Sequence, residues 1–409
     1  MGTVNPSIDS VRGFQVAGVH AGLKKDGALD FSLVVSDVDC VAAGVFTRNK
    51  VKAAPVLLDM QRLEENPKSI RAVAANTISA NACTGAIGLK NARATANLVA
   101  GALSIGAEQV LVMSTGVIGT HLPMDKIARG VELASANLGV DWRATAAGIM
   151  TTDTRPKLGS ITVDTDSGNY TIAGIVKGAG MIAPDMATML SVVVTDAEMQ
   201  LPDLQSSLSR AARQSYNRIT VDGDTSTNDT VLLLANGMSG VTIAGDNELN
   251  AFQDALNALT QFLAQEVVRD GEGVTKFITL NIINAETEAD AERIGQTIGA
   301  SVLTKSAFYG SDANWGRIVA AAGRANTPFD PDSASLSVAA GESAASDARD
   351  LEIFSGGMPT NYREEDAAAI MVEPSITFTL DCGIGEGAAT IWTCDISHEY
   401  ISINGDYRS

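Results

Sequence analysis

Residues Lys177–Asp196 read KGAGMIAPDMATMLSVVVTD, a loop of glycine, proline and small residues that runs directly into a β-branched segment. Pro184 bars regular structure on the upstream side, and the run from Thr188 to Asp196 predicts a strand with Thr188 at its head. Outward from this point strand and helix signals alternate along the whole chain. Phe31–Val38, Cys40–Thr47 and Ile70–Ala75 read as strands. Gly85–Ile105 is an Ala-rich helix leading into a strand at Gln109–Ser114, and Pro123–Leu138 is a further helix. Ile161–Val176 alternates like strand, whereas Pro202–Asn217 and Glu248–Val268 carry helical periodicity, each followed by a Val/Ile/Leu-rich strand at Thr230–Ala235 and Thr275–Asn284. The fold class that follows is α/β, with layered mixed sheets and helices outside; 409 residues exceed one ordinary core, which predicts two packed lobes. Asn326–Asp350 is rich in Pro, Asp, Ser and Ala and reads as a surface excursion. The ending TIWTCDISHEYISINGDYRS returns to strand-like alternation.

Composition narrows the function. The chain is 45% hydrophobic but only 5% aromatic and holds 38 glycines, so its core is aliphatic and its turns are tight. A formal charge of −19 disfavours nucleic-acid and membrane partners. An anionic substrate would need a local cationic pocket. Cys40, Cys83, Cys382 and Cys394 stand far apart without metal or redox spacing, so no metal site is expected and the thiols read as reduced. The start, MGTVNPSIDSVRGF, lacks a secretory signal, and no apolar run approaches the roughly 18 residues of a spanning helix. A cytoplasmic protein is expected.

Several motifs carry less than they suggest. GIGEGA at Gly383–Ala388 lacks the strand-turn-helix setting of a dinucleotide fingerprint, and GEGVTK at Gly271–Lys276 has the wrong spacing for a phosphate loop. DGDTSTND at Asp222–Asp229 resembles a calcium loop, but Leu233 stands where the bidentate Glu is needed, and a structural turn is expected. The three histidines, His20, His121 and His398, sit in no nucleophile elbow. A histidine-poor enzyme can still activate a hydroxyl when the nucleophile is an N-terminal Thr whose own α-amine is the base. Cleavage between the small residue Ala187 and Thr188 would create one. A Thr opening a buried strand is ordinarily structural, and STGVIG at Ser114–Gly119 reads either as oxyanion donors at a strand end or as a plain turn.

Motifs along nearly the whole chain resemble one family. They are AAGVFTRNKVKAAPV at Ala42–Val56, NACTG at Asn81–Gly85, STGVIG, MTTDTRPK at Met150–Lys157, KGAGMIAPDMATML at Lys177–Leu190, ITVDGDTSTNDT at Ile219–Thr230, DGEGVTKF at Asp270–Phe277, NWGRI at Asn314–Ile318 and the closing INGDYRS. Together they are similar to the ornithine acetyltransferases, or glutamate N-acetyltransferases, of the cyclic arginine-biosynthesis route. Val73–Gly85 is less glycine-rich than the family pattern, and Gly405 stands where Ala is usual. The resemblance implies self-cleavage between Ala187 and Thr188, giving an alpha chain, 1–187, and a beta chain, 188–409, that stay associated, with a heterotetramer as the assembly. It implies that Thr188 takes acetyl from N2-acetylornithine and passes it to glutamate through an acetyl-threonyl intermediate. Thr115 and Gly116 match the oxyanion pair. Thr152, with Thr151 beside it as the other choice, Lys177, Thr188, Glu272, Asn404 and Ser409 match substrate-binding positions; Lys177 would meet a carboxylate and Glu272 a side-chain amine. No cofactor is implied, and the sequence leaves open whether acetyl-coenzyme A serves as a second donor. The rival readings are an aminopeptidase or amidase of the same self-processing architecture and a non-catalytic scaffold, although the latter has no reason to keep Thr188 and Thr115–Gly116.

Overall fold

The structure is a computed structural model that describes residues 3–183, 189–342 and 350–406. It is mixed α/β and divides into two units, the first built from 1–178, 185–217 and 225–267, the second from 179–184, 218–224 and 268–409.

The first unit holds, in chain order, β1 (Phe14–Val19), β2 (Phe31–Phe46), α1 (Ala54–Glu65), β3 (Ile70–Asn76), α2 (Gly85–Leu103), β4 (Val110–Ser114), α3 (Met124–Ala136), α4 (Trp142–Ala147), β5 (Lys157–Thr165), β6 (Gly168–Lys177), β7 (Leu190–Thr195), α5 (Leu201–Gln214), β8 (Thr230–Ala235) and α6 (Asp246–Arg269). Its sheet runs β4-β3-β2-β8-β7-β6-β5, with β1 paired to β2. The β3–β4 and β7–β8 pairs are parallel, each closed by one crossover helix, α2 and α5. Period-two alternation sorts the strands' side chains onto two faces. Ala72 and Ala74 of β3 and Val110 and Val112 of β4 pack with the helix residues Ala92, Ala96, Val99, Ile127 and Val131, while Val73, Ala75, Leu111 and Met113 join the opposite core with Trp142. The Ala92-Ala96-Ala100 spacing gives α2 a smooth stripe, so the helix sits close without large side chains.

Strand β4 ends at the residues of interest, and its free edge is closed. From α1, Asp59 accepts the Val112 N–H at 2.9 Å and Arg62 donates to the Val110 carbonyl. Burial pushes the Asp59 carboxyl well above its usual range, and lowers Arg62 from its own. An edge satisfied by side chains cannot recruit another strand.

The second unit holds β9 (Phe277–Ala285), α7 (Glu288–Gly299), α8 (Val302–Tyr309), α9 (Trp315–Gly323), β10 (Ser335–Ala340), β11 (Leu351–Ser355), β12 (Met358–Pro359), α10 (Glu364–Met371), β13 (Ser375–Asp381), β14 (Gly387–Cys394) and α11 (His398–Gly405). Its sheet runs β12-β11-β10-β13-β9-β14. Ile294, Ile298, Phe308 and Ile318 of the helices and Ile278, Leu280, Leu336, Val338 and Phe378 of the strands fill one core.

The structure corrects several sequence expectations. The strands expected at 31–38 and 40–47 are one strand, β2, which bends at exposed Asp37–Asp39 as its partner changes from β3 to β8. The segment 326–350 is not simply a surface excursion: β10 lies between β11 and β13, with Leu336 and Val338 fully buried. Its small polar composition misleads because alternate residues suffice to fill one face of a strand. The strand-like ending stops at Cys394, where the Ser397 side chain accepts the Tyr400 N–H and caps the helix α11. Ile161–Val176 resolves into the β5–β6 hairpin. Among the described residues no helix is long and apolar enough to cross a membrane.

Candidate active site

In the first unit the site begins where β4 stops. The N–H of Thr115 is spent on the Asn76 carbonyl at 3.0 Å, and Val117 donates to Ile78 O at 2.9 Å, so the chain from 115 to 117 is stitched to the loop after β3. Gly116 sits between these bonds at φ +132°, and its own N–H makes no hydrogen bond among the described residues. The Thr115 hydroxyl accepts from Lys177 Nζ at 3.2 Å, which leaves its proton to donate. Two consecutive residues therefore each keep one donor, a hydroxyl proton on Thr115 and a backbone N–H on Gly116, that makes no hydrogen bond among the described residues. Asn76 supports them by accepting the Ser114 hydroxyl at 2.7 Å and donating to Thr77 and Ser79 carbonyls at 3.0 and 3.2 Å.

Gly116 cannot be replaced. A Cβ there would lie 2.2 Å from the Ile78 carbonyl carbon and 2.3 Å from its oxygen, at a φ that L-residues rarely adopt. On the oxyanion role that the resemblance implies for it, Gly116→Ala is expected to displace the N–H and lower kcat by about 10²–10³-fold, the usual loss for one oxyanion donor. Steady-state kinetics check it; an unchanged kcat would remove Gly116 from the site.

Lys177, the last residue of β6, is buried at 2% exposure, and its charge is balanced locally. Asp153 takes the Gly178 N–H at 2.7 Å, the Thr151 N–H at 2.9 Å and the Lys157 ammonium at 2.6 Å. Burial alone would raise the Asp153 carboxyl, but Lys177, Lys157 and these hydrogen bonds hold it well below the usual carboxylate range. Thr152 and Thr151 both lie half-buried beside it. Across the strands, Lys177 pairs with Leu190 of β7, and Leu190 with Thr230 of β8. Met189, just upstream, donates its N–H to Asp229 at 2.9 Å. The predicted nucleophile Thr188 and its neighbour Ala187 lie outside the described residues, as does Ser409.

The second unit carries Glu272 and Asn404, which the structure brings together: Asn404 Nδ2 donates to Glu272 Oε2 at 2.7 Å. The Glu272 N–H is anchored on Ala179 O at 2.9 Å, and a Cβ on Gly180 would come within 2.4 Å of the Glu272 carboxylate, so a larger residue there would displace that side chain. Asp222 holds the same loop by accepting the Met181 and Ile182 N–H groups at 2.5 and 2.9 Å, and receives the Tyr400 hydroxyl at 3.2 Å. Burial, then the Asp222 charge, push the Tyr400 phenol upward. The calcium-like stretch is therefore a turn in which Asp222 and Asp229 accept backbone N–H groups. Likewise Lys276 of GEGVTK donates to Phe308 O and Ser311 Oγ at 2.7 and 2.6 Å, and GIGEGA spans the turn after β13 and the first two residues of β14. His20 bonds Ala28 O and Asp30, and His398 bonds Tyr309.

Sequence reasoning missed Asp153, Asn228 and Asp229. The one available signal was an acidic residue close to one arginine and one lysine in MTTDTRPK, which spacing alone does not separate from a solvated pair.

Residues 15–409 match the ArgJ family. The chain belongs to that family. The arginine biosynthesis bifunctional protein ArgJ of Thermotoga neapolitana is 45% identical over 401 residues, covering 97% of this chain and 99% of its own. The protein of the same name from Geobacter sulfurreducens is 44% identical over 98% of this chain and 100% of its own. A crystal structure of an ornithine acetyltransferase complexed with ornithine, from Mycobacterium tuberculosis, is 42% identical, covering 46% of this chain and 100% of that one at a TM-score of 0.42. Membership in the ArgJ family makes this chain a transferase of arginine biosynthesis, and the aminopeptidase or amidase reading is not favoured.

Proposed function

We propose that the enzyme moves acetyl from N2-acetylornithine to glutamate by a ping-pong cycle on Thr188, after cutting itself between Ala187 and Thr188. The observation that carries this is the trio of Gly116 N–H, Thr115 hydroxyl and Lys177 ammonium at the end of β4, with Lys177 and Thr115 in direct contact at 3.2 Å. The α-amine of Thr188 takes the hydroxyl proton as the oxygen attacks the acetyl carbonyl. The developing oxyanion is met by the Gly116 N–H and the Thr115 hydroxyl. Collapse passes the proton to the departing amine and releases ornithine, and the amine of glutamate then attacks the acetyl-threonyl ester, restoring Thr188. Lys177 supplies the cation for a substrate carboxylate in an otherwise acidic protein, Glu272 and Asn404 recognise the side-chain amine, and Thr152 and Ser409 complete the contacts. No cofactor takes part; acetyl-coenzyme A is a candidate second donor.

Sheet pairing supports survival of the cut. β6 and β7, on either side of it, are antiparallel neighbours from Ile172–Thr195 to Lys177–Leu190, so alpha (1–187) and beta (188–409) chains share one core. We propose that they assemble as a heterotetramer, which native mass measurement reads directly.

Product analysis tests the function. Incubation with N2-acetylornithine and glutamate is expected to yield acetylglutamate and ornithine in equal amounts. Free acetate in place of acetylglutamate would instead mark a hydrolase. Acetylglutamate formed from acetyl-coenzyme A would establish the second donor, and none above background would confine the enzyme to recycling.

A further inference from the structure

The turn Asp222–Asp229 ends in two residues with adjacent and opposite attachments. Asn228 is buried at 4% exposure with its whole amide engaged: Nδ2 donates to Ala80 O at 2.6 Å and Ser114 O at 2.8 Å, while Oδ1 accepts the Thr227 hydroxyl at 2.6 Å. Ser114 is the last residue of β4, immediately before Thr115, and Ala80 lies in the loop stitched to Val117 by an N–H···O bond of 3.1 Å. Asp229, fully buried, turns the other way. Its Oδ1 accepts the Met189 N–H at 2.9 Å, and the next residue, Thr230, donates its N–H to Met189 O at 3.2 Å. Met189 is thus held at both its amide and its carbonyl, one residue after Thr188.

We propose that Asn228 and Asp229 are positioning residues for acetyl transfer: Asn228 fixes the strand end that presents the oxyanion donors, and Asp229 fixes the backbone beside the nucleophile. Because the two are consecutive, they tie the end of β4 and the backbone of Met189 to adjacent points of one turn. The proposal rests on the assignment of Thr188, Thr115 and Gly116 above. Neither residue touches substrate. Their effect is geometric, and displacements of about 1 Å in such sites lower rates by about 10²-fold. Burial pushes the Asp229 carboxyl well above the usual range, with the Met189 N–H opposing it, which favours the neutral acid and makes Asn its close isostere.

The test compares Asn228→Asp, Asp229→Ala and Asp229→Asn with the wild-type full chain, reading self-cleavage by denaturing mass, kcat and KM for N2-acetylornithine, and Tm. Asn228→Asp keeps size but replaces both amide donors, and Asp229→Ala removes the acceptor; each is expected to lower kcat by about 10²-fold with KM changed by less than about threefold. Asp229→Ala is also expected to slow cleavage. Asp229→Asn, which keeps an acceptor for Met189, is expected to recover most of what the Ala variant loses. Folded Asn228→Asp and Asp229→Ala proteins with wild-type kcat overturn the proposal, and so does an Asp229→Asn variant as impaired as Asp229→Ala. If Asp229→Ala does not fold, Asn228→Asp and Asp229→Asn decide by their opposite expected outcomes. A wild type that transfers acetyl as one uncut chain overturns the N-terminal threonine reading instead. The Asn228→Asp kcat still decides this proposal in that case, because any acyl transfer there uses the same oxyanion donors.

Discussion

Thr188→Ala is expected to yield a single intact chain with acetyl transfer at background. Losing a covalent nucleophile lowers kcat by about 10⁶-fold in enzymes that rely on one. Here the same change also removes the group that attacks the Ala187 carbonyl, so neither the new amino terminus nor its base forms. Two measurements check it. Denaturing mass spectrometry should give two fragments meeting at Ala187/Thr188 for the wild type and one full-length mass for the variant, and kinetics should find no acetyl-ornithine turnover. Thr188→Ser, which keeps a hydroxyl, should retain part of both. Full activity in the Ala variant would refute Thr188 outright, whatever the oxyanion geometry around Gly116 suggests. Among the described residues, Lys177 and Leu190 are sheet neighbours, and the Met189 N–H is bonded to Asp229 at 2.9 Å.

Asp153→Ala is the second large effect, and it acts on the fold as much as on the site. The variant would leave Lys157, whose side chain is 0% exposed, and Lys177 without their common carboxylate, and would strip an acceptor from the Gly178 and Thr151 N–H groups. Removing one partner of a buried ion pair destabilises by about 3–5 kcal/mol, because the remaining charge stays desolvated. Urea unfolding at pH 7 is expected to show a loss of that order, and a difference under about 1 kcal/mol would overturn the account. The pH dependence has a definite sign. The folded Asp153 carboxyl is depressed below its unfolded value of about 3.9, so its contribution is fully present above that pH and is lost as pH falls toward the folded value. The gap between wild type and variant should therefore be flat near neutrality and close in acid.

Much of the fold was legible. The Ala-rich helix read at Gly85–Ile105 is α2 to within its left-handed cap at Ser104, and the apolar runs at 230–235 and 275–284 are β8 and, nearly, β9, because a buried strand or helix face must repeat its apolar residues at its own period. Where the reading failed, local pattern and tertiary role had separated. β10 is built from SLSVAA, a polar-looking hexapeptide that needs only Leu336 and Val338 to fill its face of the core. The helix α11 looked like strand because Tyr400, Ile401 and Ile403 are β-formers, yet a single serine at 397 caps a helix there.

The site divides in the same way. Sequence by itself determined the family, through ordered motifs from Ala42 to Ser409, and with it the identity of Thr115, Gly116, Lys177 and Glu272 as residues to watch. Those are positions a motif can preserve. Only the tertiary structure decided what each does locally: that the Thr115 N–H is already spent on Asn76, so that its hydroxyl is the donor left; that Gly116 must lack a side chain because Ile78 fills the space; and that an apparent calcium loop spends its last two residues on Ser114 and Met189. The reason is physical. A residue's chemistry is written in its type, but which of its donors remain unspent depends on partners that the fold brings from distant parts of the chain, as Asn76 to Thr115 and Ala80 to Asn228.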